Sequence, residues 1–299
     1  MKAVTLGTRG SPLALAQTEI VRSLLVKAHP SLPIESKIIK TSGDHFHNLS
    51  LVTGGGKGLF TKEIEDQLLR GDVDVAVHSM KDLPTMLPDG LTIGAVPPRE
   101  DAHDVFISKR FSEIDELPKS ARLATSSIRR RAQLSARRPD LQIEDIRGNV
   151  GTRLQKLVED DALDALLLAA AGLKRLGLWK ADKRLHWQLL DFEVMIPAVG
   201  QGIIACEVRA ADFETQQLLA PINDSATLAC AEAERAFLRA LGGGCQVPYA
   251  AHATVDGEQL RLIGAKFSAD GRNVQRADVA GSMRDPHELG TRAAEQILR

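Results

Sequence analysis

Val73-Asp74-Val75-Ala76-Val77 reads as a strand buried on both faces, since its apolar residues run together instead of alternating with polar ones. A helix over Phe60–Arg70, stopped by Gly71, leads into it, and the pair suits a parallel sheet flanked by helices. Toward the N-terminus, Ala3–Leu6 is a short strand. Ser11-Pro12 then offer an N-cap and a first-turn proline for an amphipathic helix to about Ala28, and Ile34–Lys40 is extended, so the chain opens β-α-β.

The pattern recurs with different residues. Leu123-Ala124-Thr125 ends a strand, Ile128–Arg138 is a helix, Leu141–Ile146 a strand, Gly151–Glu159 a helix, and Ala165–Ala169 a buried strand running into a turn by Leu173. Asp74 and Asp164 stand at the starts of equivalent strands, which gives them structural parts. Two similar α/β lobes are expected to face each other across a cleft, because ligands of open α/β sheets sit at the carboxyl ends of strands. Pro97-Pro98-Arg99 marks the first crossing between lobes and Pro197–Gly202 the return. From Pro221 the composition changes. Ser225 caps a helix ending at Gly242-Gly243-Gly244, Tyr249–Val255 and Gln259–Phe267 are antiparallel strands joined at Asp256-Gly257, and Pro286–Leu298 is a closing helix. The expected division is therefore 1–98 for a first α/β lobe, 99–197 for a second, 198–219 for a segment completing the first, and 220–299 for a smaller C-terminal α+β domain with an antiparallel sheet.

Composition narrows the function. The 299 residues are 43% hydrophobic and 26% charged, enough for two or three cores. Lys+Arg (38) and Asp+Glu (39) nearly cancel, so no global field draws nucleic acid, and aromatics at 4% give no base-stacking platform. Electrostatic specificity must be local. The start carries no apolar targeting segment and Ala165–Leu173 is too short to cross a bilayer, so the expectation is a cytoplasmic protein without membrane contact. Three cysteines without a CxxC pair give neither a disulfide framework nor a zinc site, and the eight histidines show no HExxH pattern, so no metal is expected. Gly56-Lys57-Gly58-Leu59 lacks the Ser/Thr and the spacing of a P-loop.

Cys206 shares a strand face with Ile204 and Val208, and Cys230 a helical stripe with Ala233, Phe237 and Leu241, so both read as small buried hydrophobes. Cys245, after three glycines, is either a presented nucleophile or a side chain packed beneath a helix end. A helix C-terminus disfavours a thiolate, so activation would need cations from elsewhere. Such cations stand after strands: Arg9, Lys57 and Lys81 in the first half, and Arg129, Arg130, Arg131, Arg147 and Arg153 in the second, with Thr125, Ser126 and Ser127 beside them. Hydroxyls, helix N-terminal amides and guanidinium forks make a receptor for carboxylates or phosphates. Arg137, Arg138 and Lys156 read as a solvated helix face, and His78, at a strand end, as structural rather than a base. Asp82 opens a loop after a buried strand; it either faces the cleft as a carboxylate held among cations or caps the loop.

Gly7-Thr8-Arg9-Gly10-Ser11-Pro12, Gly56-Lys57-Gly58-Leu59-Phe60, Val77-His78-Ser79-Met80-Lys81-Asp82, Thr125-Ser126-Ser127-Ile128-Arg129-Arg130, Arg147-Gly148-Asn149-Val150, Ala170-Ala171-Gly172-Leu173-Lys174-Arg175, Pro197–Gly202 and Gly243-Gly244-Cys245-Gln246-Val247-Pro248 together resemble the porphobilinogen deaminase (hydroxymethylbilane synthase) family along nearly the whole chain. The resemblance implies two doubly wound α/β lobes of the periplasmic-binding-protein-like kind and a transferase of tetrapyrrole (haem) biosynthesis. That enzyme condenses four porphobilinogen molecules head to tail, releasing ammonia. It implies a dipyrromethane cofactor joined by a thioether to Cys245, with Lys81, Thr125, Ser127, Arg129 and Arg130 holding the cofactor and Asp44 near its pyrrole nitrogens. Arg9, Ser11, Arg147, Arg153 and Lys57 would hold incoming substrate carboxylates. Asp82 would stabilise the azafulvenium-like cation and handle protons. A monomer is likewise implied. Thr53 departs from the family pattern, which often has a lysine there. Two other classes fit parts of the pattern: a two-lobed solute-binding or sensory module, which would need no covalent adduct, and nucleic-acid binding through Arg129–Arg131, which balanced charge and few aromatics disfavour.

Overall fold

A computed structural model describes residues 3–42, 61–243 and 247–299. Its strands and helices run, in chain order, β1 (Val4–Thr8), α1 (Pro12–Ala28), β2 (Ile34–Ile38), α2 (Lys62–Arg70), β3 (Val75–Ser79), β4 (Leu91–Ala95), β5 (Asp104–Ser108), β6 (Arg122–Ala124), α3 (Ile128–Arg137), β7 (Gln142–Glu144), α4 (Val150–Glu159), β8 (Ala165–Ala169), α5 (Ala170–Arg175), β9 (His186–Leu190), β10 (Ile204–Arg209), α6 (Phe213–Leu219), α7 (Ser225–Ala240), β11 (Tyr249–Asp256), β12 (Gln259–Phe267), β13 (Val274–Ser282) and α8 (Pro286–Leu298). The chain forms two compact units, Met1–Glu100 with Ile203–Ala231 and Asp101–Gly202 with Glu232–Arg299.

Each unit holds a five-stranded sheet, and the two sheets match place for place: β2-β1-β3-β10-β4 in the first and β7-β6-β8-β5-β9 in the second. The three strands at one side of each are mutually parallel. β10 runs antiparallel to both its neighbours, and so does β5. The sheets are therefore mixed where the central pattern suggested parallel pairing, and the reversed strand is in each unit the first after the chain changes units. One face of the first sheet packs Val75, Val77, Ile204, Cys206 and Val208 against Val21 and Leu25 of α1. On the other, Ala76 packs with Ile64 and Leu68 of α2.

Local rules set the element ends. The Ser11 hydroxyl accepts from Ala14 N at 3.3 Å and opens α1. Gly71 closes α2 at φ +78°, a left-handed conformation in which a Cβ would be strained. Asp74 and Asp164 perform the same task. Asp74 N donates to Thr5 O (2.9 Å) while Asp74 Oδ2 accepts from Thr5 N (3.0 Å). Asp164 repeats this with Arg122, at 3.0 and 2.8 Å. Each aspartate thus extends its ladder by one side-chain bond.

Some elements differ from the sequence reading. Ser225 is the first residue of α7, and its cap is Asp224, whose Oδ1 accepts from Thr227 N at 2.7 Å. Ala165–Leu173 runs from β8 into α5 instead of a turn, because Ala170 N finds His103 O and the following backbone turns helical. β13 has no clear signal in the sequence because it is a largely exposed edge strand whose charged residues hide its alternation. In the second unit β11, β12 and β13 form an antiparallel sheet, and Ala250, Ala265 and Phe267 pack with Ala132 of α3. Among the described residues, no helix is long and apolar enough to cross a membrane.

Candidate functional site

In the first unit β3 ends at Ser79 and a 3-10 turn, Met80–Asp82, follows. Met80 is buried and anchors the turn, leaving Lys81 and Asp82 exposed beyond it. Asp82 lines a pocket with Arg9, Ser11, Gln17, Thr61 and His78. The start of α1 enters this pocket through Ser11. Gln17, nearly two turns further along, donates to Ser79 Oγ at 2.8 Å and ties the helix to the end of β3. The structure thus gathers Arg9, Ser11 and Asp82 at one pocket, whose lining does not include Lys81.

In the second unit the signal residues stand where β6 and β7 give way to helices. Thr125 is buried, its hydroxyl accepting from Ser127 N at 3.2 Å, and the Ser127 hydroxyl accepts from Arg130 N at 3.4 Å to cap α3. Arg129 and Arg130 are buried against Asp104: Arg129 Nη1 lies 2.7 Å from Oδ2 and Arg130 Nη2 2.6 Å from Oδ1. Burial alone would raise the Asp104 pKa, but the Arg129 and Arg130 charges overcome it and hold the carboxyl well below its usual range. Arg129 Nη1 also donates to Ile196 O, Arg130 Nη1 to Leu167 O, and Gln201 Nε2 to Asp104 Oδ1.

Arg147 and Arg153 flank the start of α4. Asn149 caps that helix through Thr152 N at 2.9 Å, and Arg153 Nε donates to Gly148 O at 2.7 Å. Gly148 sits at φ +116°, and a Cβ there would lie 2.7 Å from Thr152 Cγ2, so only glycine fits this turn. Burial, then the like charges of Arg130 and Arg147, push the Arg153 pKa down. Three cations are therefore within electrostatic reach of one another. Such a set is built to receive anions.

The expected solvated face is only partly so. Arg137 is exposed and pairs with Asp115, but Arg138 is partly buried, binding Asp140 and donating to Leu117 O. Cys206 and Cys230 are buried, as their sequence settings imply, and burial pushes the Cys206 thiol up to about 12, far from reactivity. Cys245, Asp44 and Lys57 lie outside the described residues. Among the described residues no group of His, Cys, Asp and Glu could hold a metal ion.

Sequence reasoning missed Asp104 and Gln201. Asp104 had a visible signal, a carboxylate opening the apolar run Val105-Phe106-Ile107, but its partners lie 25 and 26 positions on and only the fold joins them. It also missed Glu65 and Glu207, both buried near His78.

Two family models match the chain: "Porphobilinogen deaminase, dipyromethane cofactor binding domain" over residues 4–217 and "Porphobilinogen deaminase, C-terminal domain" over residues 228–299. The porphobilinogen deaminase of Acidithiobacillus ferrooxidans is 49% identical over 296 residues, covering 99% of this chain and 94% of its own. That of Moorella thermoacetica is 49% identical over 302 residues, covering 100% of this chain and 94% of its own. Among solved structures, the periplasmic aliphatic sulphonate binding protein of Escherichia coli aligns over 80% of this chain and 70% of its own, at 14% identity and TM-score 0.43.

Proposed function

This chain belongs to the porphobilinogen deaminase family, and on that premise we propose that Asp82 is its catalytic carboxylate and Cys245 the attachment point of its dipyrromethane cofactor. The enzyme is a transferase, a hydroxymethylbilane synthase, that condenses four porphobilinogen molecules and releases ammonia. When bound, dipyrromethane supplies the primer on whose free pyrrole α-carbon the product is built.

The observation that carries the assignment of roles is the charge excess in the second unit. Arg129, Arg130, Arg147 and Arg153 bring four guanidiniums, and among the described residues Asp104 is the one carboxylate bonded to the first two. Arg129 Nε is buried without a hydrogen-bond partner among the described residues. A donor set of this kind suits a group rich in carboxylates, and each pyrrole unit carries an acetate and a propionate. In this reading Lys81, Thr125, Ser127, Arg129 and Arg130 hold the cofactor, with Asp44 at its pyrrole N–H groups. Arg9, Ser11, Arg147, Arg153 and Lys57 hold the carboxylates of incoming porphobilinogen. Asp82, exposed on its turn, stabilises the positive charge that develops as ammonia leaves and holds protons of amine and pyrrole nitrogens.

Burial of Cys206 and Cys230 supports Cys245 as the tether. The same reading gives a cytoplasmic monomer that binds porphobilinogen and neither nucleic acid nor membrane, in keeping with a net charge of −1. It retains the division into lobes 1–98 and 99–197, a segment 198–219 completing the first, and a cofactor-bearing domain 220–299. Intact mass is the test. The purified protein should exceed its polypeptide mass by two linked pyrrole units, located on the peptide containing Cys245, and an active enzyme without that increment would refute the assignment.

A further inference from the structure

His78 and Glu207 are polar residues inside a sheet that has helices on both faces. In the register of β3 and β10, His78 stands opposite Ala205 and Ala76 opposite Glu207. All four share one face, and His78 and Glu207 meet on the diagonal. His78 Nε2 lies 3.2 Å from Glu207 Oε2, and their side chains are 4% and 0% exposed. Neither Glu207 oxygen has a hydrogen-bond partner of good geometry among the described residues. Glu65 of α2, 5% exposed, completes the group. Its carboxyl pKa is raised, first by burial and further by the Glu207 charge, against the lowering effects of the Thr61 hydroxyl and of His78.

Two buried carboxylates within reach of each other do not both ionise readily. The fold does not require them. In the second unit the registers place Leu168 of β8 where the first has His78, and Ile107 of β5 where it has Glu207. Leu168 and Ile107 are as buried as the residues they match. Replacing a buried ion pair by apolar residues is commonly neutral or stabilising, so retaining polar groups at a cost in one unit alone calls for a use. That unit also carries Asp82, and His78 lines the same pocket as Asp82 and Arg9.

We propose that Glu65, His78 and Glu207 form a buried proton-holding triad in the wall of the Asp82 pocket, with His78 as a positioning residue that sets the protonation of that wall. The proposal rests on the role given to Asp82 above. Glu207 lies against the His78 ring at 3.2 Å, and burial together with the Glu207 charge disfavours a charge on Glu65. The ring then fixes the field in which the Asp82 carboxylate moves protons, while remaining behind it. Other groups facing the triad are Asp66 and Thr61 beside Glu65, and Arg9 and Asp82 on the pocket side. Arg209, further along β10, is bound to Asp74 and Asp212.

The test uses the holoenzyme with 15N-labelled imidazoles, in wild type, Glu207→Gln, and a double variant, His78→Leu with Glu207→Ile, that gives both positions the second unit's residues. The signal lost in the double variant identifies His78 among the eight histidines. In Glu207→Gln the His78 titration midpoint should move to lower pH by about one unit or more. The double variant should melt no lower than wild type and keep its two-ring mass increment. Its kcat/KM should nevertheless fall about tenfold or more, with a flattened alkaline limb. An unmoved midpoint in Glu207→Gln, or a double variant with wild-type kcat/KM and pH profile, overturns the triad. Should the double variant not fold, the signal lost in His78→Gln identifies the ring, and the midpoint and pH profile of Glu207→Gln decide. Failure of the functional assignment is a separate result, read as a wild-type mass without the pyrrole increment.

Discussion

Asp104 shows how a single carboxylate can set both stability and readiness for a ligand. It is fully buried, and its ionised form is favoured by Arg129 and Arg130 despite the cost of desolvation. Its folded pKa lies below the unfolded value of 3.8, so its contribution is complete above that pH and is lost as pH falls toward the folded value. Asp104→Asn should therefore unfold about 3–5 kcal/mol more easily in urea at pH 7, because two guanidiniums lose their partner. The gap between variant and wild type should narrow below pH 3.8; a gap that stays constant with pH would show that the charge is not what matters. The residue was visible in the sequence only as an acid beside an apolar run. Its pairing was not, since no local rule links a strand's first residue to a helix 25 positions later.

The ends of helices and strands are where sequence and structure agree most closely. Ser11, Gly71, Asp74 and Asp164 act through neighbours that chain geometry dictates, so periodicity and capping rules reach them. Asp164→Ala and Asp74→Ala should each cost about 1–3 kcal/mol in chemical denaturation, because each strips the acceptor from a strand N–H. Equal losses would confirm that the two devices are equivalent, and no loss would mean that water takes over. Reading failed where the decisive partner is distant, as for the reversed strands β5 and β10, or where the local signal is masked or duplicated, as in the exposed edge strand β13 and at the Asp224 cap beside an equally plausible serine. Glu207 carries a readable sign, a charge inside the otherwise apolar Ile203–Val208.

At the scale of the molecule, the buried charge cluster and the exposed candidate carboxylate belong to different units. Arg129, Arg130 and Asp104 are buried and hold their unit together, whereas Asp82 sits exposed on a short turn whose fixing contact is the buried Met80. Asp82→Asn should accordingly keep the wild-type melting temperature and mass increment while turnover falls about 10²- to 10⁴-fold. Near-normal turnover would remove Asp82 from the mechanism. What the short, local motifs made legible is the first unit's candidate pocket, where Arg9, Ser11 and Asp82 meet.

The position of β10 has a consequence for synthesis. It lies between β3 and β4, yet β4 ends at Ala95 and β10 begins only at Ile204, so more than a hundred residues must leave the ribosome before the gap can close. At about 5–20 residues per second that is a delay of roughly 5–20 s, during which β3 presents an unsatisfied row of amides and carbonyls to the cell. The five-stranded sheet of the second unit suffers no such wait, because all its strands lie between Asp104 and Leu190. The later-made sheet can thus be finished before the earlier one, and the nascent N-terminal segment is the stage at which this protein is most exposed to misassociation.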